Sequence, residues 1–240
     1  MRAADRIIVA LDTPTAAEAL ALADSLAGSA RWVKVGMTLL YATGPGIVAQ
    51  LRERGFDVFV DLKIHDIPHQ ARGAAAALAT LGCGLMTVHA AGGGAMIASA
   101  VDGAAEGATR AGVARPTVIA VTVLTSLDGP ALAATGVSDG PATQAARLAT
   151  LALGAGANGV VCSPREALAM RALLGADAAI VTPGVRPSWA GADDQARVST
   201  PHQALAAGAS HLVIGRPITA ASDPAQAFAR IVSEIEEDPA

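Results

Sequence analysis

Aromatic side chains are almost absent: two Trp, one Tyr and three Phe in 240 residues. That scarcity argues against the stacking platforms that hold single-stranded nucleic acids. Excess positive charge is missing as well. Seventeen Lys and Arg against 21 Asp and Glu leave a formal charge of −4, whereas a nucleic-acid or anionic-membrane surface needs a basic face. Cysteine is limited to Cys83 and Cys162, too few for a disulfide framework or a zinc cluster, so a reducing cytoplasm is the expected compartment. No GK[ST] follows Gly92-Gly93-Gly94, which excludes a nucleotide P-loop. The scarcest charge is lysine. Lys34 and Lys63 are the only two, and the other 15 basic residues are arginine.

A clean membrane span is also lacking. Between Arg72 and Asp102 no residue carries a formal charge, a length that could cross a bilayer. The stretch is cut by Gly82, Gly84 and the triple glycine, with His89 in its middle, and it reads as helix, buried strand, loop and helix. At the start, Arg2 and Arg6 precede an apolar run that Asp12 ends, with no small-residue cleavage site after it. This does not read as a signal peptide.

What the chain has in quantity is apolar residues, 52% against 16% charged. That balance specifies a packed core, and the length suits a single domain over 1–240. Short Val- and Ile-rich runs at 6–12, 32–36, 56–63, 85–89, 117–124, 159–162, 179–182 and 211–215 are bounded by Gly, Pro or Asp. Such runs are the pattern of parallel strands buried on both faces. Periodic Ala-rich stretches at 15–26, 70–81, 142–153 and 164–173 alternate with them. Thr13-Pro14 and Ser163-Pro164 read as helix starts, and Gly55, Gly82, Gly175 and Gly208 as helix ends. Repeated β/α units of this number predict a (β/α)8 TIM barrel, which typically takes about 250 residues, with an open doubly wound sheet as the alternative.

In such a barrel the chemistry lies at the C-terminal ends of the strands. Asp12, Lys34, Asp61, Lys63, Asp66, Thr125, Ser126, Arg186, Gly215 and Arg216 all fall at or just past those ends. Asp61 and Lys63 are two apart, which in a regular strand puts both on one face, aimed into the barrel mouth. Lys34 comes from the neighbouring strand. With Asp66 these residues can form an array of alternating charge, in which each charge favours the ionised form of its neighbour. Both lysines of a chain that otherwise uses arginine lie here, and an ammonium can deliver a proton where a guanidinium does not. The competing reading is a structural ion-pair network.

A second site lies after the last two strands, where barrel enzymes often hold phosphate. Pro183, Arg186, Gly215 and Arg216 fall there, Gly215 allowing close backbone approach and Arg216 suiting bidentate contact with an anion. The segment 187–199 is long, polar and weakly periodic, and reads as a loop able to close over a ligand, with Gln195 supplying an amide. The bland alternative is a helix cap with a surface arginine. His65 and His89 read as structural rather than as ligands or bases. His69, His202 and His211 show no metal spacing, and Cys162 reads as a buried thiol.

The run Asp61-Leu62-Lys63-Ile64-His65-Asp66-Ile67-Pro68 resembles the DxKxxDIP signature of the orotidine 5′-phosphate decarboxylase family, in its shorter bacterial form. Ile8-Val9-Ala10-Leu11-Asp12, Lys34-Val35-Gly36, Val121-Thr122-Val123-Leu124-Thr125-Ser126, Val161-Cys162-Ser163, Thr182-Pro183-Gly184-Val185-Arg186-Pro187 and Ile214-Gly215-Arg216-Pro217-Ile218 recur in the family's order. The resemblance implies a homodimeric barrel that converts orotidine 5′-phosphate to uridine 5′-phosphate and CO2, the last step of de novo pyrimidine biosynthesis. It implies no metal and no organic cofactor. By motif, Lys63 donates the proton to C6, Asp61 lies against the substrate carboxylate, and Asp66 comes from the other subunit. Lys34 and Asp12 hold the ribose hydroxyls, Thr125 and Ser126 face the pyrimidine, and Pro183, Arg186, Gln195, Gly215 and Arg216 form the phosphate end.

One departure stands out. The family commonly continues DIP with Asn-Thr, the Thr reaching the ribose in the partner's site. Here His69-Gln70 follow, so Gln70 is the candidate for that contact. Two alternatives remain open. Mg2+-dependent keto-sugar-phosphate decarboxylases and synthases share the third-strand motif but carry Glu at the position of Lys34 and usually Gly at that of Pro68. A non-catalytic phosphoribosyl-binding barrel is the other, although binding alone does not call for a buried ion array that is costly to desolvate.

Overall fold

Eight parallel strands pair in chain order and close on themselves: β1 (Ile7–Ala10), β2 (Trp32–Gly36), β3 (Asp57–Ile64), β4 (Leu85–His89), β5 (Thr117–Val121), β6 (Gly159–Val161), β7 (Ala179–Pro183) and β8 (His211–Ile214). Closure is explicit, because β1 pairs with both β2 and β8, which excludes the open sheet. The computed structural model describes residues 1–190 and 199–237. All eight expected strands are present, with ends moved by a few residues. Arg6 lies in a 3-10 turn, Ala3–Arg6, and Asp12 lies just past β1.

Period-two alternation divides the strand residues between two cores. On β1, Ile7 and Val9 point out to the helices while Ile8 points in. On β2, Val33 and Val35 point out, so Trp32 and Lys34 point in. The lower barrel is filled by Ile8, Phe59, Leu85, Ile119 and Val181, flanked by Trp32 and Val213. Large apolar side chains plug this end, as expected for a barrel that is a core and not a pore. The opposite, C-terminal end is where the inward positions turn polar.

The helices follow the sequence expectations with corrected starts. Helix Ala16–Leu26 begins after Thr15, whose hydroxyl accepts the Glu18 N–H at 3.2 Å, and not at Thr13-Pro14. The Thr13 hydroxyl instead donates to the Thr15 carbonyl at 3.2 Å. The helix expected at 70–81 runs Pro68–Ala79, with Pro68 in the first turn, where its missing N–H costs nothing. Ser163-Pro164 is a true start, with a reciprocal capping box between Ser163 and Glu166. The charge-free stretch folds as helix, strand β4, a 3-10 turn and helix Gly94–Ala111, and no helix among the described residues is long and apolar enough to cross a membrane. Pro68–Ala79 packs closely on Gly94–Ala111, because a Cβ at Gly103 or Gly107 would overlap the backbone of Arg72 or Ala76. That contact anchors the helix immediately downstream of Asp66.

Candidate active site

Lys34 faces inward because its neighbours Val33 and Val35 face the helices, and it is only 6% exposed. A buried ammonium needs partners. Lys34 Nζ lies 2.7 Å from Asp12 Oδ1 and 3.8 Å from Asp61 Oδ2. The strand register explains the geometry: Ala10 pairs with Lys34 and Gly36 with Asp61, which brings three strand ends to one height. Asp61 in turn holds Lys63, whose Nζ is 2.9 Å from each carboxylate oxygen. The result is a line of alternating charge, Asp12, Lys34, Asp61, Lys63.

The two-residue spacing of Asp61 and Lys63 does bring them together, but not through a regular strand. Lys63 has φ 52°, the only positive value at a non-glycine among the described residues. For a long side chain such a conformation costs about 1–3 kcal/mol and persists only where its surroundings enforce it. The β3–β4 register shifts between Val60 and Ile64 at the same point. The Lys63 backbone N–H is taken by Thr87 Oγ1 at 2.8 Å, and the same hydroxyl donates to Asp61 Oδ1 at 3.0 Å.

Above this array opens a cavity of about 460 Å³, a volume suited to a nucleotide-sized ligand. Asp12, Lys34, Asp61 and Lys63 form one wall, and Thr125, Pro183, Arg186, Gly215 and Arg216 form others. The cavity therefore has an ion-rich end and a separate cationic end. Arg186 is 7% exposed. Gly215 precedes a single turn of helix, Arg216–Thr219, and a Cβ there would meet only Ala10, at an ordinary 3.6 Å. Packing against other side chains does not demand glycine at that position, which lines the cavity. An adjoining cavity, also lined by Thr125 and Arg216, contains Ser126.

Three expected residues stand apart. Asp66 is exposed and its Oδ1 accepts the Ile67 N–H at 2.6 Å. No ion pair joins it to Lys63 within one chain among the described residues. Gln70 is exposed on the first turn of helix Pro68–Ala79 and lines neither cavity. Gln195 lies outside the described residues, as does most of the segment 187–199. Both ends of that segment are fixed: Arg186 N–H donates to Ser199 O at 3.1 Å, Ser188 N–H donates to Glu234, and the Arg230 guanidinium sits 4.4 Å from the Trp189 ring centre.

His65 and His89 stack at 5.2 Å between ring centres, and burial, then the nearby His65 and Lys63 charges, push the His89 pKa down. Cys162 lines the cavity, but burial and then Glu166 drive its thiol pKa up, away from a reactive thiolate. Among the described residues no three His, Cys, Asp or Glu side chains are grouped to hold a metal ion. Two positions that touch this array had no sequence signal of their own. Thr87 reads as an ordinary strand former. Gly36 reads as a strand end, yet a Cβ there would stand 2.8 Å from Asp12 Oδ1 and 2.9 Å from Lys34 Nζ.

Residues 5–231 match the family model described as the orotidine 5′-phosphate decarboxylase / HUMPS family. A protein of Paramagnetospirillum magneticum named orotidine 5′-phosphate decarboxylase is 48% identical over 229 residues, covering 95% of this chain and 97% of that one. One of Moorella thermoacetica with the same name is 51% identical over 237 residues, covering 98% and 94%. The crystal structure of orotidine 5′-phosphate decarboxylase from Lactobacillus acidophilus superposes with a TM-score of 0.86 at 40% identity, covering 96% and 99%.

Proposed function

The chain belongs to the orotidine 5′-phosphate decarboxylase / HUMPS family, and on that premise we propose that it is a carboxy-lyase that converts orotidine 5′-phosphate to uridine 5′-phosphate and CO2 without a metal or organic cofactor. The observation that carries this reading is the line Asp12, Lys34, Asp61, Lys63 at the floor of a cavity whose far end is cationic.

Loss of CO2 from C6 leaves an electron pair in the plane of the pyrimidine, where the ring π system cannot delocalise it. Stabilisation has to come from a fixed positive charge beside C6. The Lys63 ammonium, gripped by both oxygens of Asp61, supplies that charge and then the proton that completes the C6–H bond. Asp61 lies against the departing carboxylate. Lys34 and Asp12 hold the ribose hydroxyls, and Thr125 and Ser126 face the base. Arg186, Gly215 and Arg216, with Pro183 and Gln195, hold the phosphate. Binding energy gained there, remote from C6, organises the reacting end.

Lys34 separates this reading from the Mg2+-dependent branch. Its ammonium already sits between the carboxylates of Asp12 and Asp61, so a divalent cation at the same carboxylates would meet a like charge at close range. The exposed Asp66 and the exposed apolar side chains of Met37, Tyr41 and Ile67 support a homodimer in which Asp66 completes the partner's array and Gln70 reaches the partner's ribose. The barrel acts as one catalytic domain spanning residues 1–240, in the cytoplasm.

The test is the ultraviolet absorbance change on mixing protein with orotidine 5′-phosphate in excess EDTA. Rapid loss of substrate absorbance is expected. A folded protein that leaves orotidine 5′-phosphate intact but turns over a keto-sugar phosphate with Mg2+ would overturn the reading.

A further inference from the structure

Thr87 lies within β4, 1% exposed, and does not line the cavity. Its hydroxyl nonetheless makes two directed contacts with the reactive end: it accepts the Lys63 backbone N–H at 2.8 Å and donates to Asp61 Oδ1 at 3.0 Å. Those two partners are themselves joined by the Lys63 ammonium, 2.9 Å from each Asp61 oxygen. One hydroxyl thus closes a ring through both the backbone and the side chain of a single lysine.

The place where this happens is the break in the sheet. The β3–β4 register shifts between Val60 and Ile64, and Lys63 stands at φ 52°. A lysine continuing the ladder would give its N–H to a β4 carbonyl. Displaced from the ladder, that donor needs another partner, because a backbone N–H sequestered without one is costly. The Thr87 hydroxyl is the partner, and its own proton then goes to the carboxylate that grips the ammonium.

We propose that Thr87 is a positioning residue. It holds Lys63 in its left-handed conformation and fixes Asp61 so that both oxygens face Nζ, which sets the height at which the ammonium meets C6. This inference rests on the decarboxylase reading above and deepens it. Thr87 touches no ligand space, so the rate depends on it and nucleotide affinity does not.

Thr87→Val keeps the volume and the β-branching and deletes the hydroxyl; Thr87→Ser keeps the hydroxyl. For Thr87→Val, kcat falls about 10- to 100-fold, the size expected for losing a hydrogen bond to a charged group, while the Kd for uridine 5′-phosphate stays within about twofold. Thr87→Ser recovers most of the lost rate. Amide hydrogen exchange at Lys63, read by NMR in the full-length protein, gives a second readout free of catalysis: protected in the wild type and Thr87→Ser, released in Thr87→Val. A Thr87→Val protein with wild-type kcat and a protected Lys63 amide overturns the proposal, as does a Thr87→Ser protein no better than Thr87→Val. A wild type inactive on orotidine 5′-phosphate, with Lys63 protection still lost in Thr87→Val, overturns the decarboxylase reading and leaves the positioning role standing.

Discussion

Gly36→Ala is a one-carbon change that separates the site from the fold. Gly36 ends β2 opposite Asp61, with φ −89° and ψ −179°, a conformation any residue adopts. Nothing in the backbone resists alanine. The new Cβ would stand 2.8 Å from Asp12 Oδ1 and 2.9 Å from Lys34 Nζ, and each must recede by about half an ångström to reach ordinary contact. Both atoms are the ends of side chains, so the barrel absorbs the shift, and Tm should move by less than about 3 °C. The ion pair cannot absorb it so easily. The two displaced atoms are the ones held at 2.7 Å from each other, with Lys34 Nζ also 3.8 Å from Asp61. Misplacing a catalytic constellation by 1 Å costs about 100-fold, so half of that should cost about tenfold in kcat/KM, or ~1.4 kcal/mol of transition-state stabilisation. Steady-state turnover of orotidine 5′-phosphate and thermal melting of the same preparation measure the two quantities. Unchanged kcat/KM would refute the claim that this pair positions the substrate. A loss of activity matched by a large loss of Tm would refute the claim that the cost is local.

Arg216→Ala should act mainly on KM, lowering kcat/KM by about 2–3 kcal/mol, the value of a charged hydrogen bond to phosphate; an unchanged KM would place the phosphate elsewhere. His211 offers a stability test at the opposite end of the barrel, where its ring meets Trp32 edge-on. Burial, then the Arg6 and Arg31 charges, lower its pKa from 6.5 to about 4. The neutral ring is favoured in the folded state, so this contribution is complete above pH 6.5 and is lost as pH falls from there towards about 4. Urea unfolding across that range should show about 2–3 kcal/mol of pH dependence that disappears in His211→Leu; an equally steep profile in the variant would assign the dependence to other groups.

Much of this site was legible because charged residues stand out at the C-terminal ends of Val- and Ile-rich strands, where a parallel barrel keeps its chemistry. The near-absence of other lysines then singled out Lys34 and Lys63. The kink at Lys63 was not legible, since Asp-Leu-Lys carries no glycine or turn signal and its left-handed conformation is imposed by Thr87 on another strand. Gly36 was opaque for a related reason: the demand for glycine comes from Asp12, far away in sequence, and from the side chain of Lys34. The helix start at Thr15 in place of Thr13 was a choice between two threonines of equal capping propensity, of which Thr15 accepts the Glu18 N–H. For Lys63 and Gly36 the missing information is a contact between elements, which periodicity within one element does not carry.

The most direct measurement is single-turnover decay of orotidine 5′-phosphate with Lys63→Ala, made alongside titration of the same variant with uridine 5′-phosphate. If the Lys63 ammonium is the charge and proton source at C6, turnover is abolished while product binding remains measurable. Turnover near the wild-type rate would contradict that role and place the acid elsewhere in the cavity.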